Sequence, residues 1–400
     1  MLSARSAWDL TANPLAALLA ERRQRQQPVV DLTLANPTAA GLPVPGDFPA
    51  RLAAGAAAAY RPEPLGLRSA REAVCAYLAA RGSLVHPDQV VLTASTSEAY
   101  SFLFKILTDP GDEVLVPRPS YPLFDFLAGL EGVRTVPYPL RYGAEGWRLD
   151  VDRLAAALGP RSRAVVLVSP NNPTGSFVHD DERAAVEELA RECGLALIAD
   201  EVFADYVQQG PVPGRSFAGP ADVLTFSLNG LSKALALPHA KLSWIVVQGP
   251  PAARQEALGR LEVVADTFLS VATAIQEALP HLLSAAAEYQ APLRQRLAAN
   301  LTCLRQAATA AGVPVLRCEA GWYAVVVTGT DDEPLALSLL RDDGVLTHPG
   351  YFYDFADDGH LVLSLLSPDL PTGVDRLLRR LRPAGPLLSG APGTGGAGIG

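Results

Sequence analysis

Between about Glu72 and Gly249, short runs of aliphatic and β-branched residues alternate with stretches whose apolar positions recur every three or four residues. Runs that are apolar at every position belong to strands covered on both faces, and the 3.6-residue period between them belongs to amphipathic helices. The pattern predicts strands at Gln89-Val-Val-Leu-Thr, Glu113-Val-Leu-Val-Pro, Arg163-Ala-Val-Val-Leu-Val-Ser, Leu195-Ala-Leu-Ile-Ala-Asp, Val223-Leu-Thr-Phe-Ser and Leu242-Ser-Trp-Ile-Val-Val. Helices are predicted over 97–107, 121–129 and 181–193. Strands separated by helices make a mostly parallel α/β sheet.

From Pro251 to Ala311 the chain reads as long helices rich in alanine, leucine and arginine. The segments Gly321-Trp-Tyr-Ala-Val-Val-Val and His360-Leu-Val-Leu-Ser-Leu-Leu then add strands of a smaller α+β region. We therefore expect an N-terminal segment over 1–45 packing with the small domain, a large domain over 46–280 and a small domain over 281–383. A tail over 384–400, dominated by glycine, proline and alanine, has too little to bury and is expected to be disordered.

The 400 residues are 49% apolar and 19% charged, so the chain is long enough for two packed domains and is globular overall. A net charge of -9 disfavours a nucleic-acid or anionic-membrane partner, since either needs a basic surface. No run of 18 apolar residues and no signal-peptide order occurs, so a cytoplasmic protein is expected. Cys75, Cys193, Cys303 and Cys318 form no CxxC pair and read as reduced structural residues. The six histidines lack metal-site spacing, so no metal is expected.

Lysine is scarce. Of 33 basic residues only Lys105, Lys233 and Lys241 are lysine. Where arginine serves every generic positive charge, a surviving lysine is a candidate for work that needs an amine able to lose its proton. Lys105 lies in a helical stretch and needs no such role. Lys233 follows the strand at Val223 through a polar loop and stands at its carboxyl end, where open α/β sheets place ligands. Asp200 closes another strand, and a carboxylate in apolar surroundings needs a positive partner. The turn Ser169-Pro-Asn-Asn-Pro-Thr-Gly175 offers an amide. Ser95, Thr96 and Ser97 open a helix whose N-H groups and hydroxyls suit an anion such as phosphate. With the aromatic Tyr121, these are the handles of pyridoxal phosphate.

At this point the chain resembles the class I/II aminotransferases of fold type I, over roughly residues 28–380. The marks are Asn36-Pro37, Tyr60 with Gly66 and Arg68, Pro110-Gly-Asp-Glu-Val-Leu-Val-Pro, Pro119-Ser-Tyr-Pro, Asn171-Asn-Pro-Thr-Gly, Ala199-Asp-Glu-Val and Ser232-Lys233. The resemblance implies pyridoxal 5'-phosphate held by Lys233 as an internal aldimine, with Asp200 on the pyridine nitrogen. Asn172 would meet the phenolic oxygen, and Tyr121 would stack on the ring. Ser95, Thr96, Ser97, Ser232 and Lys241 would hold the phosphate, with Tyr60 arriving from the partner of a homodimer. Ala35 and Asn36 would face the substrate. The reaction implied moves an amino group between an amine or amino-acid donor and a carbonyl acceptor.

Three positions depart from the family pattern. Phe203 replaces a tyrosine that commonly donates to the phenolic oxygen, and Tyr206 has the wrong spacing to substitute. Lys241 replaces an arginine. Val362 falls where the family's carboxylate-binding arginine would stand, leaving Arg61, Arg68 and Arg118 as conceivable replacements. These departures leave open a pyridoxal-phosphate lyase, decarboxylase, cyclase or oxidase. A regulator with an aminotransferase-like domain would need a DNA-binding region that the 27 residues before Pro28 do not supply. The donor, the acceptor and the pathway are not legible in these residues.

Overall fold

The structure, a computed structural model, describes residues 2–56, 59–212 and 214–381; the tail expected to be disordered lies outside the described residues. Strands run in chain order as β1 (Val30–Asp31), β2 (Val90–Thr93), β3 (Glu113–Arg118), β4 (Arg134–Gly143), β5 (Gly146–Leu149), β6 (Ser162–Val168), β7 (Ala196–Asp200), β8 (Thr225–Gly230) and β9 (Ser243–Gln248). The series closes with β10 (Tyr323–Val327), β11 (Val345–Leu346), β12 (His348–Pro349) and β13 (His360–Ser364). The helices begin with α1 (Pro14–Gln24), α2 (Phe48–Ala56), α3 (Arg68–Ala79), α4 (Thr96–Leu107), α5 (Phe124–Leu130), α6 (Val151–Ala156) and α7 (Asp180–Cys193). They continue with α8 (Leu231–Ala234), α9 (Pro251–Phe268), α10 (Thr273–Ser284), α11 (Ala286–Ala311), α12 (Asp332–Ser338) and α13 (Leu370–Leu381).

Eight strands form one sheet in the order β2-β9-β8-β7-β6-β3-β4-β5. The neighbours from β8 through β4 pair in parallel, while β9 is antiparallel to both β8 and β2. Apart from the exposed Arg163, the residues of β6 to β9 are buried along their whole length, as strands covered on both faces are. On one face α4, α5 and α9 cover Val166, Ile198, Phe226 and Ile245. On the other, α7 covers Val165, Leu197 and Ala199, and α3 with α10 covers Leu92 and Trp244.

A second core gathers β10, β13 and most of α11 with Leu15, Leu32 and Ala40 from the N-terminal region. There β10, β13 and β12 form an antiparallel sheet, and β1 pairs in parallel with β11. Helix α11 joins the two bodies, since Tyr289 packs into the core under α10 while Leu293 to Ala308 pack into the second one.

Two local expectations change, and one hairpin goes unpredicted. The strand predicted at Val223 runs on to Gly230, because Gly230 still pairs with Ser243, so Lys233 sits in the helical turn α8 and not beyond a polar loop. The helix predicted from Tyr121 begins at Phe124; Pro119 and Pro122 hold Tyr121 in a turn before it. The hairpin β4-β5 escapes the sequence pattern, since Pro137, Pro139 and its exposed polar arms mask the strand alternation.

Candidate active site

The carboxyl ends of β2, β3, β6, β7 and β8 converge on one edge of the large sheet, and the sequence-predicted residues leave from those ends. Asp200 is the last residue of β7, opposite Leu228 of β8 and Val168 of β6. It is buried at 9% exposure. Tyr100 of α4 donates its hydroxyl to Asp200 Oδ2 at 3.1 Å, and the Val202 N-H donates to Oδ1 at 3.1 Å. Burial pushes the carboxyl up to about 6, against the pull of those two donors and of Lys233. The Lys233 amine is pushed down by burial, while Asp200 works to keep it charged.

Lys233 is held at both ends. The Tyr206 hydroxyl donates to Lys233 O at 2.8 Å and to Ala234 O at 3.0 Å, and Gln290 Nε2 donates to Ala234 O at 2.9 Å. Its Nζ lies 4.9 Å from the centre of the Trp322 ring and 5.7 Å from that of Phe203. Tyr206 is therefore a support for the α8 main chain, which explains why its spacing is wrong for any other task.

The turn after β6 is fixed from within. Asn171 Nδ2 donates to Pro119 O at 3.0 Å and to Thr174 Oγ1 at 2.9 Å, and its Oδ1 accepts from Ser120 Oγ at 3.0 Å. Asn171 thus ties this turn to the Tyr121 turn, whereas Asn172 is buried with Oδ1 unpartnered. Gly175, at φ +69°, closes the turn; a Cβ there would stand 2.5 Å from Ala320 O and from Cys318 Sγ.

Ser95 caps α4, its Oγ accepting from the Glu98 N-H at 3.1 Å, and Glu98 Oε2 accepts from Ala94 N at 2.6 Å. The first-turn N-H groups of Thr96 and Ser97 have no partner within the helix. Register brings further groups to the same place. Thr93, Ser243 and Gly230 form one row across β2, β9 and β8. Ser95 and Ser232 follow that row by two residues, and Lys241 precedes it by two. Lys241 is exposed and adopts φ +50°.

Tyr121 is 44% exposed, and its phenol is pushed up by burial and by the nearby Asp200. Tyr323 and Tyr353, buried beside it, complete an aromatic wall from the small domain. Ala35 and Asn36 lie where the N-terminal segment crosses β13: Ser364 N donates to Leu32 O at 2.7 Å and Ser364 Oγ to Leu34 O at 2.6 Å. Asn36 Oδ1 accepts from Thr38 N at 3.1 Å and Thr38 Oγ1 at 2.7 Å, which rigidifies that turn. Tyr60 is exposed and lines one pocket with Leu269 and Ser270.

Sequence reasoning missed Tyr100, Trp322, Tyr323 and Tyr353, because a buried aromatic on a helix or strand carries no mark that separates it from ordinary core. Arg61 pairs with Glu277 at 3.4 Å, and Arg68 pairs with Glu72 at 2.8 Å and Asp88 at 2.6 Å on the surface of α3. Arg118 pairs with Asp125 at 3.0 Å and Asp354 at 2.6 Å. His179, Asp181 and Glu182 bring ligand-type atoms together, but Arg148 fills the space between them, bonding all three. Among the described residues no helix is long and apolar enough to cross a membrane.

An amine and a buried carboxylate that act on each other, at the carboxyl edge of a mostly parallel sheet, stand where such a fold places its ligand. The chain belongs to the class I and II aminotransferases, whose family model matches residues 24–377. It is 32% identical over 295 residues to the arginine-pyruvate transaminase AruH of Pseudomonas aeruginosa, covering 71% of this chain and 72% of that protein. It is also 32% identical over 215 residues to the glutamate-pyruvate aminotransferase AlaA of Haemophilus influenzae, a match spanning 54% of this chain and 53% of that protein. The structure of the alanine aminotransferase from Pyrococcus furiosus matches with a TM-score of 0.87 at 23% identity, over 95% of this chain and 99% of that one. That likeness shows the shared fold, fold type I. The protein is an aminotransferase, and members of this family work with pyridoxal phosphate.

Proposed function

We propose that this aminotransferase carries pyridoxal phosphate on Lys233 and moves an amino group between a small amine or amino-acid donor and a carbonyl acceptor. The observation that carries the reading is the pair of Asp200, which ends β7, and Lys233, in the helical turn that follows the neighbouring parallel strand β8, the two acting on each other electrostatically. The residues fit the cofactor. The Asn172 carboxamide, buried with its oxygen unpartnered, is not committed within the protein and is available to the phenolic oxygen of a bound ring. Ser95, Thr96, Ser97, Ser232 and Lys241, gathered at one sheet edge, make the seat of its phosphate.

When bound, the cofactor supplies an electron sink for negative charge at the substrate carbon that carries the nitrogen. Asp200, favoured as an anion by Tyr100 and the Val202 N-H, binds a protonated ring nitrogen. Lys233 Nζ, which burial drives toward the neutral amine, takes up and returns the proton at the reacting carbon. Tyr121, projecting from a turn braced by Asn171, covers one side of the ring. Ala35 and Asn36 line the substrate side.

A homodimer completes this reading, with Tyr60 reaching the partner's phosphate seat. Tyr60, Phe268 and Leu269 are exposed on one face, where Phe268 touches Phe102 at 5.4 Å between ring centres. The four unpaired cysteines support the reducing cytoplasm as its compartment. Borohydride reduction of the holoenzyme followed by peptide mapping tests the central assignment. The pyridoxyl group is expected on Lys233, and finding it on Lys105 or Lys241 would overturn the reading.

A further inference from the structure

We propose that Trp322 is a positioning residue for Lys233, its indole face holding the side-chain nitrogen of the lysine and favouring that nitrogen's protonated form. The inference rests on Lys233 being the cofactor lysine. Three aromatic residues form the wall behind it. Trp322 is fully buried, meets Phe203 edge to face at 5.3 Å and meets Tyr206 edge to face at 5.5 Å. Tyr206 secures the carbonyl of Lys233 at 2.8 Å, while the Trp322 ring centre stands 4.9 Å from its Nζ. One wall therefore fixes the main chain and the nitrogen of the same residue.

The choice of residue is informative. Trp322 Nε1 is buried without a hydrogen-bond partner. An unmet buried N-H is costly, and a phenylalanine would fill much of the space without it. What tryptophan adds is the most negative ring face available to a cation, effective within about 6 Å of the ring centre. Phe203 offers a second, weaker face at 5.7 Å.

The other groups that act on this nitrogen are few. Asp200 faces it from β7, with Tyr100 of α4 bonded to that carboxylate and Tyr121 near it; Tyr206 has its hydroxyl committed to the two α8 carbonyls. Burial disfavours the charged nitrogen, and Asp200 and the Trp322 face oppose it.

The test is a pH titration of the bound cofactor's absorbance in holoenzyme already mapped to Lys233. Trp322→Leu is expected to lower the apparent pKa of the Lys233 nitrogen by about one unit. Trp322→Phe should lower it by less. Replacing the four tryptophans with a ring-fluorinated analogue keeps the shape and drains the ring face, so it decides the matter even if Trp322→Leu does not fold. Fluorination should lower the pKa in the wild-type sequence and leave it unmoved in Trp322→Phe. An unchanged pKa in the fluorinated wild-type sequence, with the cofactor on Lys233, overturns the role of Trp322 alone. A cofactor found on another lysine overturns the site assignment instead.

Discussion

Tyr100 and Asp200, one hundred residues apart, meet hydroxyl to carboxylate at 3.1 Å and join helix α4 to the end of β7. Ser95 caps the same helix, so the proposed phosphate seat and the donor to the carboxylate share one element. Tyr100→Phe removes a donor from a buried carboxylate, a loss of about 1.5–3 kcal/mol. Cofactor affinity, measured by fluorescence titration, should fall roughly ten- to a hundredfold, since 1.4 kcal/mol is about a factor of ten. Unchanged affinity would show that this hydroxyl does not support the anion.

Asp200 ionises near 3.8 in the unfolded chain and at about 6 in the folded one. Between those values the folded protein holds the extra proton, so the stability of cofactor-free protein falls as pH rises from about 4 to 6. The interval corresponds to about 3 kcal/mol. Asp200→Asn has no such proton to lose, and its Tm should gain on wild type across that window and hold the gain to pH 7. Parallel Tm profiles would contradict the buried, raised carboxyl.

The α/β alternation and the sheet were legible because strands buried on both faces have unbroken apolar runs, as β6 and β7 do. Lys233 and Asp200 stood out as candidates because lysine is rare and because a carboxylate ends an apolar run. Trp322 was not, since its position in the strand segment starting at Gly321 suits a core residue equally well, and only the fold brings it to Lys233. The neighbouring asparagines show the same limit. Asn171 and Asn172 are chemically identical in sequence, and only the turn decides that the first is tied to Pro119 and Thr174 while the second is left unpartnered.

The proposed homodimer carries its own prediction. Leu269, in the left-handed region at φ +44°, lines one pocket with Tyr60 and Phe102, and Phe268, 52% exposed at the end of α9, packs on Phe102. Phe268→Asp places a charge in that apolar face and should shift sedimentation from dimer to monomer, with loss of phosphate-dependent cofactor affinity. Tyr60→Phe should keep the dimer and weaken the cofactor several-fold. A monomeric wild-type enzyme with full activity would refute the shared site.

Val362 stands where the resembled family places its carboxylate-binding arginine, and its surroundings bear on the substrate range. It is 1% exposed in β13, paired with Val325 on one side and His348 on the other. Burial pushes His348 down to about 4, so this part of the small domain rejects positive charge even with Asp31 favouring it. Val362→Arg should therefore cost roughly 3 kcal/mol or more, read as a lowered Tm. Arg118, the last residue of β3, is already engaged by Asp125 and Asp354. A substrate carboxylate thus meets no free guanidinium at either place, and aspartate and glutamate should be poor donors. Comparing each α-amino acid with its decarboxylated amine isolates the group: loss of the carboxylate should change kcat/KM by less than about tenfold, against the larger penalty of breaking a charge-assisted pair. A preference of about a thousandfold for the amino acid, with a liganded structure holding its carboxylate beside Val362, would show that another cation completes the pocket.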